Sequence, residues 1–111
     1  MTKAKYEVII SPHAEDSILS AFRYIHERSP DNAELWLKDL YSCIDSLESF
    51  PERCALAREL EYFEEELRQL VFKSHRIVFY IDKKRKAVRV AYFVHGKQRA
   101  VGEPIRPDTD E

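Results

Sequence analysis

Two Ser-Pro pairs set strong limits on what this chain can fold into. Ser11-Pro12 and Ser29-Pro30 each place an N-cap side chain before a proline, which suits the first helical position because that position needs no backbone N–H. Apolar residues at helical spacing follow each pair. They predict one helix to about His26 or Arg28 and a second that ends before Pro51. Because only a short turn separates the helices, they should pack as an antiparallel hairpin.

Alternating apolar residues predict strands on both sides of this hairpin. One strand, 6–11, precedes it, and three more, 67–73, 76–82 and 87–94, follow as an antiparallel meander. The segment 51–66 has no regular period, so we expect it to be irregular or to form one short helical turn. The order β-α-α-β-β-β predicts an α+β fold. The helical hairpin should cover one face of a mostly antiparallel sheet and leave the other face open.

Length and composition indicate one soluble domain. A chain of 111 residues can bury a single core. We expect residues 1–103 to form the domain and 104–111 to be a disordered tail. No apolar run approaches the roughly 18 residues that span a bilayer, and the N-terminus lacks a secretion signal. These features predict a cytoplasmic protein with no membrane partner.

The sequence shows no pattern for a cofactor or a metal ion. Gly96 and Gly102 are its only glycines, too few for a phosphate-binding loop. Cys43 and Cys54 lack CxxC spacing, and no His, Cys or Asp spacing matches zinc or iron ligation. We therefore expect two structural thiols, no bound metal and no cofactor.

Positive charge is concentrated in the part of the chain that carries the meander. Residues 67–99 have a net charge of +9, although the whole chain carries −2. The bases are Arg68, Lys73, Arg76, Lys83, Lys84, Arg85, Lys86, Arg89, Lys97 and Arg99, against the single acid Asp82. The split predicts a basic face for an anionic partner and an acidic, solvated remainder. Protection of strand edges from aggregation explains the lysines of the 83–86 turn but not the arginines at 68, 76 and 99.

Two residues of the basic region are candidates for catalysis. Arg76 opens the middle strand of the meander, where an exposed guanidinium could reach phosphate or carboxylate. The alternative is a buried or rim arginine paired with one of the glutamates at 64–66. His95 follows the last strand and could act as a general acid or base, or only cap the strand end. The candidates for binding a partner or nucleic acid are Arg68, Lys73, Arg76, Lys97 and Arg99.

Aromatic residues of the strands and helices are assigned mainly to packing. Trp36 and Tyr41 should lie in or near the core, and His75 should have a structural role in a turn. Tyr80 and Tyr92 alternate with apolar residues, so one or both should face the helices.

The order and spacing of these elements resemble the RelE/ParE superfamily of bacterial toxin–antitoxin toxins. The resemblance covers residues 6 to about 99. It is most specific in Leu67-Arg68-Gln69-Leu70, in Ser74-His75-Arg76-Ile77-Val78-Phe79-Tyr80 and in Val94-His95. It implies a β-α-α-β-β-β fold and a growth-arresting toxin, as in plasmid stabilisation systems. The implied partner is a cognate antitoxin, and the implied assembly is a homodimer or a toxin–antitoxin hetero-oligomer.

The RelE branch of this superfamily cleaves messenger RNA on the ribosome. Its basic residues and a C-terminal tyrosine activate the 2′-hydroxyl and stabilise the charged transition state. Its leading arginine matches Arg76, and Lys97 or Arg99 could substitute for its second arginine. That second arginine falls near Gln98, its two lysines fall near Leu67 and Gln69, and its tyrosine falls near Pro104, so these positions lack the required side chains. RNA cleavage is therefore the less favoured function.

The ParE branch resembles this chain in the strand 74–80 and in the histidine after the last strand. ParE-like toxins stabilise the cleaved-DNA complex of DNA gyrase, so the resemblance implies a binder without a catalytic set. We favour this interpretation. The pattern is also compatible with a non-toxic binding module that kept the fold, and with a general RNA-binding protein. The sequence lacks the paired exposed aromatic residues of an RNA-stacking platform, and only Phe79 and Phe93 keep this last alternative open.

Overall fold

A computed structural model describes residues 5–98 and 100–102, apart from the side chain of Leu60. The helices and strands are β1 (Glu7–Ile10), α1 (Pro12–Arg28), α2 (Pro30–Asp45), β2 (Ala55–Leu56), β3 (Arg68–Phe72), β4 (His75–Asp82) and β5 (Ala87–His95). Short 3₁₀ turns occupy Ser46–Glu48, Pro51–Arg53 and Arg58–Tyr62. The predicted α+β fold is confirmed, while the predicted tail at 104–111 and the domain boundary before it lie outside the described residues.

The strands form one five-stranded sheet in the order β1-β5-β4-β3-β2. The meander from β3 to β5 is antiparallel, as predicted, and β1 pairs with β5 in the parallel direction. The two-residue strand β2 was not predicted. It pairs with Gln69 and Arg68 at the start of β3, and two residues are too few to show an alternating pattern.

The first Ser-Pro pair both starts α1 and fixes it to the sheet. The Ser11 hydroxyl accepts a hydrogen bond from the Ala14 backbone N–H at 3.0 Å and donates one to the Ala91 carbonyl at 2.9 Å. At the second pair, Ser29 adopts an extended conformation that ends α1 and begins α2, but its side chain makes no capping hydrogen bond, unlike that of Ser11. Because the connection is a single residue, the helices turn back on each other as predicted.

The main core lies between the helical hairpin and the sheet. Its buried residues are Ala14, Ile18, Trp36, Leu40, Ile44, Leu47, Cys54, Phe72, Ile77, Phe79, Val88, Val90 and Phe93. The predicted core position of Trp36 is confirmed. Cys43 packs against this core, and burial raises the pKa of both thiols. Both cysteines are unpaired.

The opposite face of the sheet is partly covered, so the prediction of an open face is wrong. A second buried cluster there contains Ala57, Leu67, Val78 and Val94. Phe63 and Val101 pack against it. The chain between β2 and β3 therefore crosses this face, because apolar side chains within its acidic sequence are buried against the strands.

The aromatic residues of β4 and β5 point the other way from the prediction. Tyr80 and Tyr92 belong to the second cluster, whereas Phe79 and Phe93 are buried under the helices. The buried phenylalanines cannot stack on RNA. A β-bulge at Ala91 contributes to this outcome, because it shifts the alternation of side chains along β5.

No helix in the described part of the chain is long and apolar enough to span a membrane.

Candidate functional site

Arg76 is buried in an ion pair with Glu59. Its Nη1 donates to Glu59 Oε1 at 2.9 Å and to Gln69 Oε1 at 3.0 Å, and its Nη2 donates to Glu59 Oε2 at 2.7 Å. The two side chains are 6% and 0% exposed. Arg76 is thus a buried, paired arginine, but the predicted partners at 64–66 are wrong, because the partner is Glu59. The prediction of an exposed cation at Arg76 is wrong.

The Glu59–Arg76 pair connects three parts of the chain, and we call it the clasp. Glu59 lies in the 3₁₀ turn Arg58–Tyr62, Arg76 lies on β4, and the Val101 backbone N–H donates to Glu59 Oε2 at 3.0 Å. Burial alone would raise the pKa of the Glu59 carboxyl. Hydrogen bonds from Arg76 and Val101, together with the Arg76 charge, hold this pKa below its ordinary value. The carboxylate is therefore charged at neutral pH.

Arg58 strengthens the same connection from the surface. Its Nη2 donates to the carbonyl oxygens of Gln98 at 3.1 Å and Gly96 at 3.4 Å. Gly102 approaches the same turn with φ +88°, and a Cβ there would lie 3.0 Å from Tyr62 Cβ. The segment after β5 is thus fastened under the 3₁₀ turn by hydrogen bonds and by close packing.

Arg68 is held in place by backbone and side-chain acceptors. Its Nη1 donates to the Cys54 carbonyl at 2.6 Å, and its Nη2 donates to Glu66 Oε2 at 2.9 Å. Arg68 lines a cavity of about 410 Å³ together with Glu52, Glu65, Glu66, Asp82, Lys83 and Lys84. Acids and bases therefore mix on this side of the sheet. The charge split along the sequence does not become a separation of faces in space, because the acidic segment folds back beside β3.

Of the remaining predicted bases, Lys73 lies beside the helical hairpin. Lys73 follows β3 in a turn with a left-handed conformation (φ 51°), and its Nζ lies 3.6 Å from Asp39 Oδ2 on α2. Lys97 is exposed in the turn after β5. Arg99 lies outside the described residues. The structure therefore places Lys73 beside α2 and away from Arg68, at the other end of β3.

A groove runs between the hairpin and the ends of β3, β4 and β5. Its volume is about 600 Å³, and its lining includes Tyr24, Trp36, Lys73, His75 and His95. We call it the hairpin groove. Among the described residues that line it, none is acidic. It combines an aromatic wall with cationic and imidazole groups, which suits an apolar partner segment with acidic side chains.

The two histidines of the hairpin groove are a cross-strand pair. Their ring centroids are 5.2 Å apart, and His75 stacks flat on Phe93 at 4.6 Å. Burial, and then the neighbouring His95, lower the pKa of His75, so its imidazole is neutral at pH 7. His95 Nδ1 accepts from the Lys97 backbone N–H at 3.0 Å. In this arrangement Nδ1 acts as an acceptor, which leaves Nε2 as the ring nitrogen that faces a partner.

Within the described ranges 5–98 and 100–102, no group of three or more His, Cys, Asp and Glu side chains could hold a metal ion.

Comparison with known proteins identifies the family. The sequence matches the family described as the ParE toxin of the type II toxin-antitoxin system parDE over residues 8–100. The chain belongs to the ParE toxin family. No curated protein matches its sequence significantly.

The ParE fold is also found in a solved structure of the chromosomal ParDE toxin–antitoxin system from P. aeruginosa. That chain is 10% identical to this ParE-family protein, with a TM-score of 0.68. The match covers 84% of this chain and 98% of the other. At this identity the likeness is one of fold, and it confirms the predicted arrangement of a helical hairpin on a mostly antiparallel sheet.

Sequence reasoning missed Glu59 as part of the ParE-family chain's buried polar network. Glu59 is one of five glutamates between residues 59 and 66, and nothing local distinguishes it from its neighbours. Tyr62 and Phe63 were the available signal, because aromatic residues within an acidic run indicate that part of the run is packed.

Proposed function

We propose that this ParE-family chain acts in the cytoplasm as a toxin that stabilises the cleaved-DNA complex of DNA gyrase. A cognate antitoxin would neutralise it. The choice of gyrase over ribosome-bound messenger RNA rests on one observation, the burial of Arg76 in the clasp. A RelE-like nuclease requires a cation at this position that reaches phosphate in the transition state.

The clasp makes Arg76 unavailable to a substrate. Each Nη group already donates to a Glu59 oxygen, and breaking a buried ion pair by removing one partner costs about 3–5 kcal/mol. The neighbouring positions that would carry lysines in a RelE-like site are Leu67, which is buried, and Gln69, which hydrogen-bonds Arg76. These contacts support a protein that acts by binding over one that cleaves RNA.

Two neighbouring surfaces are suited to the antitoxin. In the described part of the chain, β2 pairs only with Arg68 and Gln69 of β3, so the outer edge of residues 70–72 can accept another strand. Val71 on this edge is 61% exposed, and Lys73 follows it beside the hairpin groove. An extended or helical segment with an apolar anchor and acidic flanks fits both surfaces. Charges at the rim of the interface would mainly raise the association rate, while the apolar anchor would set the lifetime of the toxin–antitoxin complex.

The deciding experiment combines two assays on the purified protein. We expect linear, protein-linked DNA to accumulate when gyrase, supercoiled plasmid and this protein are mixed and then denatured. Ribosome-bound messenger RNA should stay intact under the same protein concentration. Codon-dependent cuts in that RNA, with gyrase unaffected, would reverse the assignment in favour of a RelE-like nuclease.

Expression in bacteria distinguishes a toxin from a non-toxic binding module. Growth should stop when the chain is produced alone and resume when the small protein encoded beside it is produced as well. Normal growth at verified soluble expression would support a binding module that has kept the fold without toxicity.

A further inference from the structure

A second pocket lies on the sheet face opposite the helices, at the β1–β5 edge. Its volume is about 630 Å³, and its lining includes Tyr80, Arg89, Tyr92, His13 and Ser11. We call it the tyrosine pocket. None of the described residues that line it carries a carboxylate. Its volume falls within the range of about 300–1,000 Å³ that is typical of small-ligand sites.

The pocket is shaped by the β-bulge and by the start of α1. The Ser11 backbone N–H donates to the Val90 carbonyl at 2.9 Å, and the Ser11 hydroxyl donates to the Ala91 carbonyl. These bonds hold the helix start against the bulged strand. The Tyr92 ring contacts His13 edge-on with 5.3 Å between centroids, so one wall of the pocket is built from two rings on different elements.

Arg89 is held at the same site by an acidic neighbour. It lies opposite Tyr80 in the β4–β5 register, and its Nε donates to Asp82 Oδ2 at 3.3 Å. This bond uses only Nε, so the planar guanidinium keeps donors for a ligand. A partly exposed guanidinium beside tyrosine rings can bind a phosphate while a ring stacks on a planar group.

We propose that the tyrosine pocket binds one nucleotide of a single-stranded nucleic acid. The base stacks on Tyr80, because the Tyr92 ring already contacts His13 and Phe63, and the adjoining phosphate pairs with Arg89. Aromatic stacking next to a basic group is the usual means of binding single strands without sequence preference. A base paired inside a duplex cannot expose its face to the Tyr80 ring, so duplexes bind more weakly.

Charges around the pocket fix the path of the strand. On the far side of Tyr80 lies the cavity in which Glu52, Glu65, Glu66 and Asp82 are mixed with Arg68, Lys83 and Lys84, so a phosphate gains no net attraction inside it. Beyond Arg89, the turn between β4 and β5 carries the bases at 83–86. The backbone of the bound strand therefore follows β5 from the pocket toward this turn. The site rests on the geometry of this sheet face and does not depend on the proposed gyrase target.

The test uses the isolated wild-type protein and fluorescein-labelled twelve-residue oligonucleotides. We expect anisotropy to show binding of single-stranded oligo-dT and weaker binding of a duplex of the same length. Tyr80→Leu should weaken oligo-dT binding about tenfold or more, while Tyr80→Phe retains it. Arg89→Gln should lower the slope of log affinity against log salt by about 0.7. Oligo-rU in place of oligo-dT decides whether RNA or DNA is preferred.

The matched control is Tyr24→Leu, because Tyr24 is an exposed tyrosine on α1 that lines the hairpin groove instead. It should leave binding unchanged. Circular dichroism checks that each variant is folded. If Tyr80→Leu is unfolded, NMR of the wild-type protein takes its place. Addition of oligo-dT should shift the ring signals of Tyr80 and Tyr92 and leave the signal of the buried Trp36 indole unchanged. The proposal is overturned if oligo-dT does not bind, or if the duplex binds as tightly as the single strand. It is also overturned if the NMR shifts are confined to residues of the hairpin groove.

Discussion

The clasp makes a quantitative prediction about folding stability. Glu59→Gln keeps the size of the side chain but removes the charge that balances the buried Arg76 guanidinium. It also replaces an oxygen that accepts from Arg76 or Val101 by an amide that donates. Removing one partner of a buried pair costs about 3–5 kcal/mol. Domains of this size are stable by about 5–15 kcal/mol, so the variant should lose a large fraction of its free energy of unfolding.

Urea denaturation followed by circular dichroism and by the fluorescence of Trp36 measures this loss. The double variant Glu59→Leu/Arg76→Met replaces the pair by apolar side chains and should recover most of the stability, because no charge is then left buried without a partner. Glu66→Gln is the matched control. It neutralises the exposed carboxylate that pairs with Arg68 and should lower the free energy of unfolding by less than about 1 kcal/mol. The clasp is not a stabilising charge pair if Glu59→Gln lowers the free energy of unfolding no more than Glu66→Gln does, or if the double variant is less stable than Glu59→Gln.

Three further predictions concern pH, partner binding and the helix start. His75 has a lowered pKa in the folded protein, so its protonation favours the unfolded state, and stability should fall as the pH drops below the ordinary histidine pKa of 6.5. His75→Phe can still stack on Phe93 and should reduce the change of melting temperature with pH, measured from pH 5 to 7.5. If the pH dependence of the melting temperature is unchanged in this variant, other groups cause it. Val71→Asp should leave the melting temperature nearly unchanged, since the side chain is exposed, but weaken capture of the antitoxin from co-expressing cells; wild-type capture would rule out the β3 edge. Ser11→Ala should lower the free energy of unfolding by about 1–2 kcal/mol, measured in urea, because the N-cap bond to Ala14 is lost; a cost no greater than that of Ser20→Ala, at an exposed serine of α1, would contradict the capping role.

The elements that sequence predicted well are those whose causes are local. Ser-Pro pairs define helix starts through the chemistry of neighbouring residues, and both helices begin where expected. The meander followed from alternating apolar residues on either side of short turns. The parallel pairing of β1 with β5 has no local signal, because its partners, such as Glu7 and Ala87, are at opposite ends of the chain.

The site was harder to predict because charge pairing depends on long-range contacts. Arg76 could be identified as important, but its partner Glu59 is one of several similar glutamates, and only the fold selects it. The bulge at Ala91 likewise changes the face that Tyr92 occupies, since a single extra residue moves the later side chains of its strand to the other face of the sheet. The distribution of charge along the sequence predicted a basic face, whereas in the folded chain Glu65 and Glu66 line the same cavity as Arg68.

The bond from Ser11 to Ala91 joins residues 80 positions apart, and this has a consequence for synthesis of the protein. At about 5–20 residues per second, roughly 4–16 s pass between translation of the first strand and translation of its neighbour in the sheet. During this interval β1 and the start of α1 have no sheet to join. Because β5 is the central link between β1 and β4, the ribosome must complete nearly the whole chain before the sheet can close. Nascent chains shorter than this lack the surfaces described above, and assembly of the finished molecule is limited by long-range pairing.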